Sequence, residues 1–374
     1  MRFTILYVTV FVCSAGLILA GCSAARHRHD PEQVRNTPRP AYSLHMQQTD
    51  MVVAVSPVRQ TMQIGGRIPA VLGAGVSAVQ DNRHAVALRE AVGEYDPGEV
   101  FKERTTQAVE DHFANEITRI LPQGTSAGFA NAREARAARL AGLRRTGYDM
   151  VLDLDLTFGI YGPEGILAAQ IAGTLTDVPS GRVQWRNEIA WYSTELFADI
   201  RWRDPMERMV PNYFSPRFSS DRDAVDQWTR EDGKHLRTTF EEAVDGVTAA
   251  ILTDLGLQET PEGLYTLGVH HLLNGREPEA AAAFVRTLEL APEMYAARNG
   301  LVVALIRDDQ ADTALTHAKK LVEAAPDYMP GHYNLAWCYA VEKNAPEKAR
   351  PHYERAVALG ASPSRRLERA MRPN

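Results

Sequence analysis

Two prolines, Pro292 and Pro326, stand 34 residues apart, and the chain around them repeats in register as pairs of amphipathic helices. A period of this length is the mark of a stacked repeat, in which one helix pair cannot bury its apolar face without a neighbour. Counting from Pro261, the first pair supplies Leu264, Leu267, Gly268, Ala280, Phe284 and Pro292. The second, from Tyr295, supplies Leu301, Ala314, Leu321 and Pro326. The third, from Met329, supplies Leu335, Ala336 and Tyr339, then Ala349, Tyr353 and Ala356 after a one-residue slip near Asn344-Ala345-Pro346. Small residues let the helices of a pair approach, and large ones fill the gap to the next pair. Ser362 and Pro363 suit an N-cap and a first helical position, so 362–371 reads as a closing helix with a wet face of Arg365, Arg366, Glu368 and Arg369.

This pattern resembles the tetratricopeptide repeat, which implies an all-α solenoid over 257–374 whose inner helices line a concave groove. The resemblance places Tyr265, Val269, Leu272, Asn299, Val303, Tyr333, Asn334 and Trp337 in that groove. Members that clamp a peptide's terminal carboxylate use Lys and Asn where this chain has Tyr265 and Val269, so that clamp is missing. An aromatic and apolar groove suits a helix or an extended segment of a protein partner. It also suits docking against the chain's own first domain.

The preceding part reads as a two-layer α+β domain over 49–256. Met51-Val52-Val53-Ala54-Val55 is a buried strand, and Val86, Leu88 and Val92 follow a helical spacing. Phe101, Val109, Phe113, Ile117 and Ile120 predict a helix over 100–121 ended by Pro122, and 132–145 predicts another that stops at Gly147. From Met150 to Tyr161, Leu152, Leu154, Leu156 and Phe158 alternate with Asp153, Asp155 and Thr157, as in a half-exposed strand. Strands at 166–176 and 182–194 complete a small antiparallel meander. After an irregular stretch at 196–233, Leu236, Phe240, Val244, Val247, Ile251 and Leu255 stripe a long helix. Gly147-Tyr148-Asp149 leading into a strand, with a hairpin closing on Gly181-Arg182-Val183-Gln184-Trp185, resembles envelope lipoproteins of the CsgG, LpoB and TolB N-terminal type.

The chain opens with Arg2, an apolar run to Leu19, and then Leu19-Ala20-Gly21-Cys22. That layout is a secretory signal, and its last four residues resemble the lipobox of bacterial lipoproteins. The resemblance implies that 1–21 are removed and that Cys22 is acylated. A chain held by two or three acyl groups stays attached, because each buried methylene contributes about 0.8 kcal/mol. Ser23 after the cysteine implies the outer membrane, facing the periplasm. Residues 22–48 are polar, with prolines and an Arg26-His27-Arg28-His29 run, and read as a disordered tether. Of the 3 cysteines only Cys338 then stays free, which excludes an intramolecular disulfide and leaves stability to packed cores. A net charge of −6 with both signs interspersed offers no nucleic-acid surface.

Catalytic motifs fail on context. Gly124-Thr125-Ser126-Ala127-Gly128 matches the nucleophile elbow, but that device needs a strand before the serine, and a helix precedes this one. Gly73-Ala74-Gly75-Val76-Ser77-Ala78 fits a dinucleotide fingerprint without the strand it requires. Asp153 and Asp155 share a strand face but have no third ligand for a metal. The expectation is a non-catalytic scaffold or regulator of a cell-envelope assembly, with no cofactor and no metal. Its partners are envelope proteins, and a homo-oligomer stays open. An envelope hydrolase using Ser126 and a secretion-complex subunit are the alternatives.

Overall fold

The computed structural model describes residues 29–46, 51–54, 83–122, 131–161, 165–199 and 221–372. In chain order its elements are α1 (Pro31–Arg35), β1 (Pro40–Met46), β2 (Val52–Ala54), a helical stretch at 83–92, α2 (Pro97–Asp111), β3 (Thr118–Arg119) and α3 (Ala132–Thr146). Next come β4 (Met150–Tyr161), β5 (Ile166–Asp177), β6 (Val183–Tyr192) and α4 (Asp221–Asp254). The C-terminal half is helical: α5 (Pro261–Leu273), α6 (Glu277–Leu290), α7 (Tyr295–Arg307), α8 (Ala311–Ala324), α9 (Met329–Trp337), α10 (Pro346–Ala358) and α11 (Arg365–Ala370).

Six strands form one sheet in the order β3-β1-β4-β5-β6, with β2 also on β4. The sheet is mixed. β1 and β3 run parallel with Ala41 opposite Thr118, and β2 and β4 run parallel with Val52 opposite Gly159. The links at 162–165 and 178–182 permit only antiparallel returns between β4, β5 and β6, since a parallel return needs a dozen residues or more. The antiparallel sheet expected from the sequence is therefore corrected to a mixed one. Its parallel pairings join segments distant in sequence, which no local pattern announces.

Contacts divide the chain into two compact units, Met1–His45 with His112–Leu154 and Gly173–Asn187, and Met46–Asp111 with Asp155–Ala172 and Glu188–Asn374. The boundary read at 256/257 does not separate them.

In the first unit, α1 and β1 fall within the stretch expected to be a tether. Asp30 caps α1 by accepting from the Glu32 amide at 3.0 Å. In β1, Ala41 and Tyr42 are fully buried. This burial comes with the place of β1 inside the sheet between β3 and β4, and with the packing of Ala41 on Leu143, Val151 and Val178, which polar composition alone does not reveal. The helix expected over 100–121 ends at Asp111 because the following backbone bonds elsewhere. Ala114 N donates to Arg35 O at 2.9 Å, the Asn115 amide donates to Thr37 O at 2.9 Å, and Ile120 N donates to Tyr42 O at 2.8 Å. Asn131 caps α3 by accepting from the Glu134 amide, and Gly147 ends it at φ 84, a left-handed conformation that costs glycine little. Ala41, Leu143, Val151 and Val178 form a small core, with Ile120, Leu140 and Tyr148 against it.

In the second unit, Phe101, Phe158 and Phe240 meet edge to face, with centroids 5.1 to 6.2 Å apart. Such aromatic contacts contribute about 0.5–1.5 kcal/mol beyond their buried area. The long helix α4 is interrupted where Glu231, Asp232 and Gly233 all take positive φ. The stripe from Leu236 to Leu255 is buried. The helices that follow pack with their neighbours in sequence, and the Phe284 ring of α6 shows why. A Cβ at Gly268 of α5 or Gly300 of α7 would stand 2.6 or 2.5 Å from that ring, so the glycines form the slot that accepts it. After α9 the backbone forms a π-turn at Cys338–Glu342, closed by Lys343 N to Cys338 O at 3.0 Å. A π-turn inserts one residue, which accounts for the slip read near Asn344. The last helix is capped by Ser364, whose side chain accepts from the Leu367 amide, instead of Ser362, and it begins at Arg365. Ser364 wins because its amide is also held by the Tyr353 hydroxyl at 2.8 Å.

Candidate functional site

After β6 the second unit carries a short irregular strap, Glu195 to Asp199, ending in a turn at 198–199, that lies on the inner helices α7 and α9. Leu196 of the strap is 2% exposed and belongs to the same apolar core as Leu301, Val303 and Trp337. Its carbonyl accepts from the side-chain amides of Asn299 at 2.8 Å and Asn334 at 3.0 Å. Asn334 also accepts from the Ala198 amide at 2.8 Å and donates to Asn299 Oδ1 at 2.8 Å. Two buried asparagines thus read the backbone of an irregular segment, and each bond removes a polar group that burial would otherwise penalise.

The strap's side chains are held as well. Phe197 meets Tyr333 edge to face at 4.8 Å. The Tyr333 hydroxyl donates to Asp199 Oδ2 at 2.7 Å, which also accepts from Ser364 Oγ at 3.2 Å. The Tyr328 hydroxyl donates to Glu195 at 2.9 Å. Burial, and next the neighbouring Asp199, holds the Tyr333 phenol well above its ordinary range. Burial and Glu195 do the same for Tyr328. Both phenols therefore stay O–H donors to these carboxylates across physiological pH.

Beside the strap opens a cavity of about 570 Å³, within the range of ligand and side-chain pockets. Its walls include Trp191, Tyr192, Phe197, Trp228, Tyr265 and Tyr333, and its carboxylates are Glu195, Asp199 and Glu242. Trp228 is fixed by donating to Gly165 O at 2.7 Å and by stacking on His235 at 5.0 Å. Among the described residues no lysine or arginine lines the cavity. Aromatic faces with carboxylates suit a neutral or cationic group with a flat apolar side.

The residues expected in the groove divide into three sets. Asn299, Tyr333 and Asn334 bond the strap, and Tyr265 lines the cavity. Val269, Leu272 and Val303 are buried in the helical core. Trp337 is 2% exposed, donates to Glu342 at 3.0 Å and lies under the Arg366 guanidinium at 4.5 Å. The strap itself was read as irregular chain. The signal that could have found it is the pair of asparagines on the inner helices, whose bond to each other leaves an amide and an oxygen for a further partner.

Other expectations fall outside this site. Asp153 is bound by both Arg139 nitrogens and by Ser43 Oγ at 2.6 Å, a structural pairing in the first unit. Cys338 is fully buried, and burial pushes its thiol up to about 12. Cys22, Ser126 and the glycine-rich 73–78 lie outside the described residues. Among the described residues no three His, Cys, Asp or Glu side chains gather to hold a metal ion, and no helix is long and apolar enough to cross a membrane.

No family model matches the chain, and no curated protein matches it. One solved structure similar to it is the PelC dodecamer from Paraburkholderia phytofirmans, at 10% identity, covering 60% of this chain and 93% of that one with a TM-score of 0.23.

Proposed function

We propose that the chain is a lipoprotein anchored through Cys22 in the outer membrane, facing the periplasm, that acts as a non-catalytic scaffold or regulator of an envelope assembly. Its C-terminal helices are read as a tetratricopeptide array that binds protein. The observation that carries this reading is the backbone grip of Asn299 and Asn334 on an irregular segment. A surface that reads main chain in this way accepts a peptide backbone whatever its side chains. Here the grip is occupied by the chain's own strap. A partner is therefore expected to enter beside it, placing an aromatic or basic side chain in the cavity walled by Trp228 and Tyr265.

Two measurements test this. Cys22→Ser should abolish acyl labelling and release the protein from the membrane fraction, and retention of the fully processed variant there would refute the anchor. A photo-crosslinking amino acid at Ala296, on the cavity wall, should capture envelope proteins in cells, whereas one at the exposed Val285 should not. Equal capture from both positions would refute the cavity as the recognition surface. The hydrolase alternative is tested with ester substrates and Ser126→Ala, where no difference is expected.

A further inference from the structure

The first unit carries a charge that the whole chain does not share. The chain has a net charge of −6, yet the described residues of this unit hold more arginines than carboxylates, and no lysine. Four of these arginines gather in one place. Arg133, Arg136 and Arg144 are exposed and share one side of α3 at helical spacing, and Arg182 is exposed at the turn between β5 and β6. The helix and the turn are tied together, because Arg144 Nε donates to Val178 O at 2.9 Å and Arg136 Nη2 to Gly181 O at 3.4 Å. The carboxylates on these two elements are Glu134 and Asp177, and Asp177 is engaged by the Ser180 amide at 2.8 Å. Of the other arginines of α3, Arg139 is committed to Asp153 and Arg145 lies toward Gly142 on another side of the helix, so neither takes part.

We propose that this arginine face lies against the anionic phosphate headgroups of the membrane that holds Cys22. Two arguments select lipid as the occupant. The first is chemical: guanidinium groups are weakly hydrated and take phosphate oxygens through paired N–H donors, and a cluster of them is drawn to an anionic surface over roughly a Debye length. The second is continuity. Cys22 precedes His29, the first described residue of this unit, by seven residues, a span of at most about 25 Å. A unit tethered that closely meets the headgroups constantly, and a basic surface then adds a second attachment to the acyl anchor. The choice of membrane rests on the lipoprotein reading above, but binding of the face to anionic lipid does not.

The experiment uses the chain with Cys22→Ser, produced without residues 2–21 and therefore without lipid. It is sedimented with vesicles of phosphatidylethanolamine carrying about a third phosphatidylglycerol, and with neutral vesicles of phosphatidylethanolamine and phosphatidylcholine. Binding should be about tenfold stronger to the anionic vesicles and should decline as salt rises toward about 0.5 M. Arg133→Glu with Arg136→Glu and Arg182→Glu should reduce it to the level of neutral vesicles with an unchanged circular dichroism spectrum, while lysine at the same three positions should keep most of it. Equal sedimentation with both vesicle types overturns the proposal, as does a folded glutamate variant that binds like its parent. A failure of the lipoprotein reading would appear instead as missing acyl label on Cys22 in cells, and would leave the vesicle result standing.

Discussion

The helix array and the first unit solve the same packing problem from opposite directions. In the array, α5 touches α6, α6 touches α7, and small residues such as Ala280 and Ala314, both fully buried, set the approach of successive helices. In the first unit the contacts join stretches far apart: Asn115 bonds Thr37 across 78 residues, and Arg39 pairs with Asp149 across 110. Local packing recurs in sequence and leaves a period. Non-local packing pays a loop-closure cost before any contact is made, and it leaves no period. The strap at 195–199 belongs to the array in space but to the second kind in sequence, since Asn334 holds the Ala198 amide across 136 residues.

The contrast can be broken by substitution. The largest effect should come from Phe284→Ala, which empties the slot between Gly268 and Gly300 and should cost about 3–5 kcal/mol in denaturant unfolding. Because the contact is local, hydrogen exchange should accelerate in the array first. Equal acceleration in 132–154 would mean that the array is no independent source of stability.

Asn334→Ala leaves the Ala198 amide and Asn299 without their partner, and should cost about 2–3 kcal/mol. The strap amides should then exchange faster than those of α7. If Asn334→Ala unfolds at the same denaturant concentration as the parent, the strap is not held by its backbone. A smaller loss, about 1–2 kcal/mol, is expected for Asp153→Ala, which removes the acceptor shared by Arg139 and Ser43.

The smallest effect is a pH dependence within the array. His332 Nε2 faces Pro326 O at 2.9 Å, and its Nδ1 lies 3.2 Å from His352 Nδ1. Burial, and then His332, holds the His352 imidazole below its ordinary value. Burial does the same for His317, helped by Arg298 and Lys320. The folded chain therefore binds these protons less readily than the unfolded one. Their contribution is complete above about pH 6.5 and is lost as pH falls below it. The melting temperature should decline from pH 7.5 toward pH 5 more steeply for the parent than for His317→Gln with His352→Gln. Identical slopes would exclude these two residues as the cause.

How much could be read beforehand follows the same division. The alternation Leu152, Leu154, Leu156, Phe158 marked β4, and the flanking turns marked β5 and β6, because an alternating apolar face is written every second residue. Gly147 marked the end of α3, through bonds to residues three or four positions away. β1 was missed because its burial depends on lying between β3 and β4, which are more than seventy and more than a hundred residues on. The run Phe113, Ile117, Ile120 imitated a helix, since apolar residues in the loop between α2 and β3 and just past β3 happened to fall at helical spacing.

From the candidate site, Asn299, Tyr333 and Asn334 were legible as one face of stacked helices, but what that face holds was not. The repeat period, the caps, the strand alternation and the apolar run before Cys22 are properties of neighbouring residues, and the order of side chains along the chain is enough to specify them. The parallel pairing of β1 with β3, the strap on Asn299 and Asn334, the cavity beside it and the gathering of arginines around the β5–β6 turn each bring together residues separated by tens to more than a hundred positions. Only the folded chain decides these, because a buried polar group or a charge has no defined partner until the packing has chosen which distant segment lies beside it.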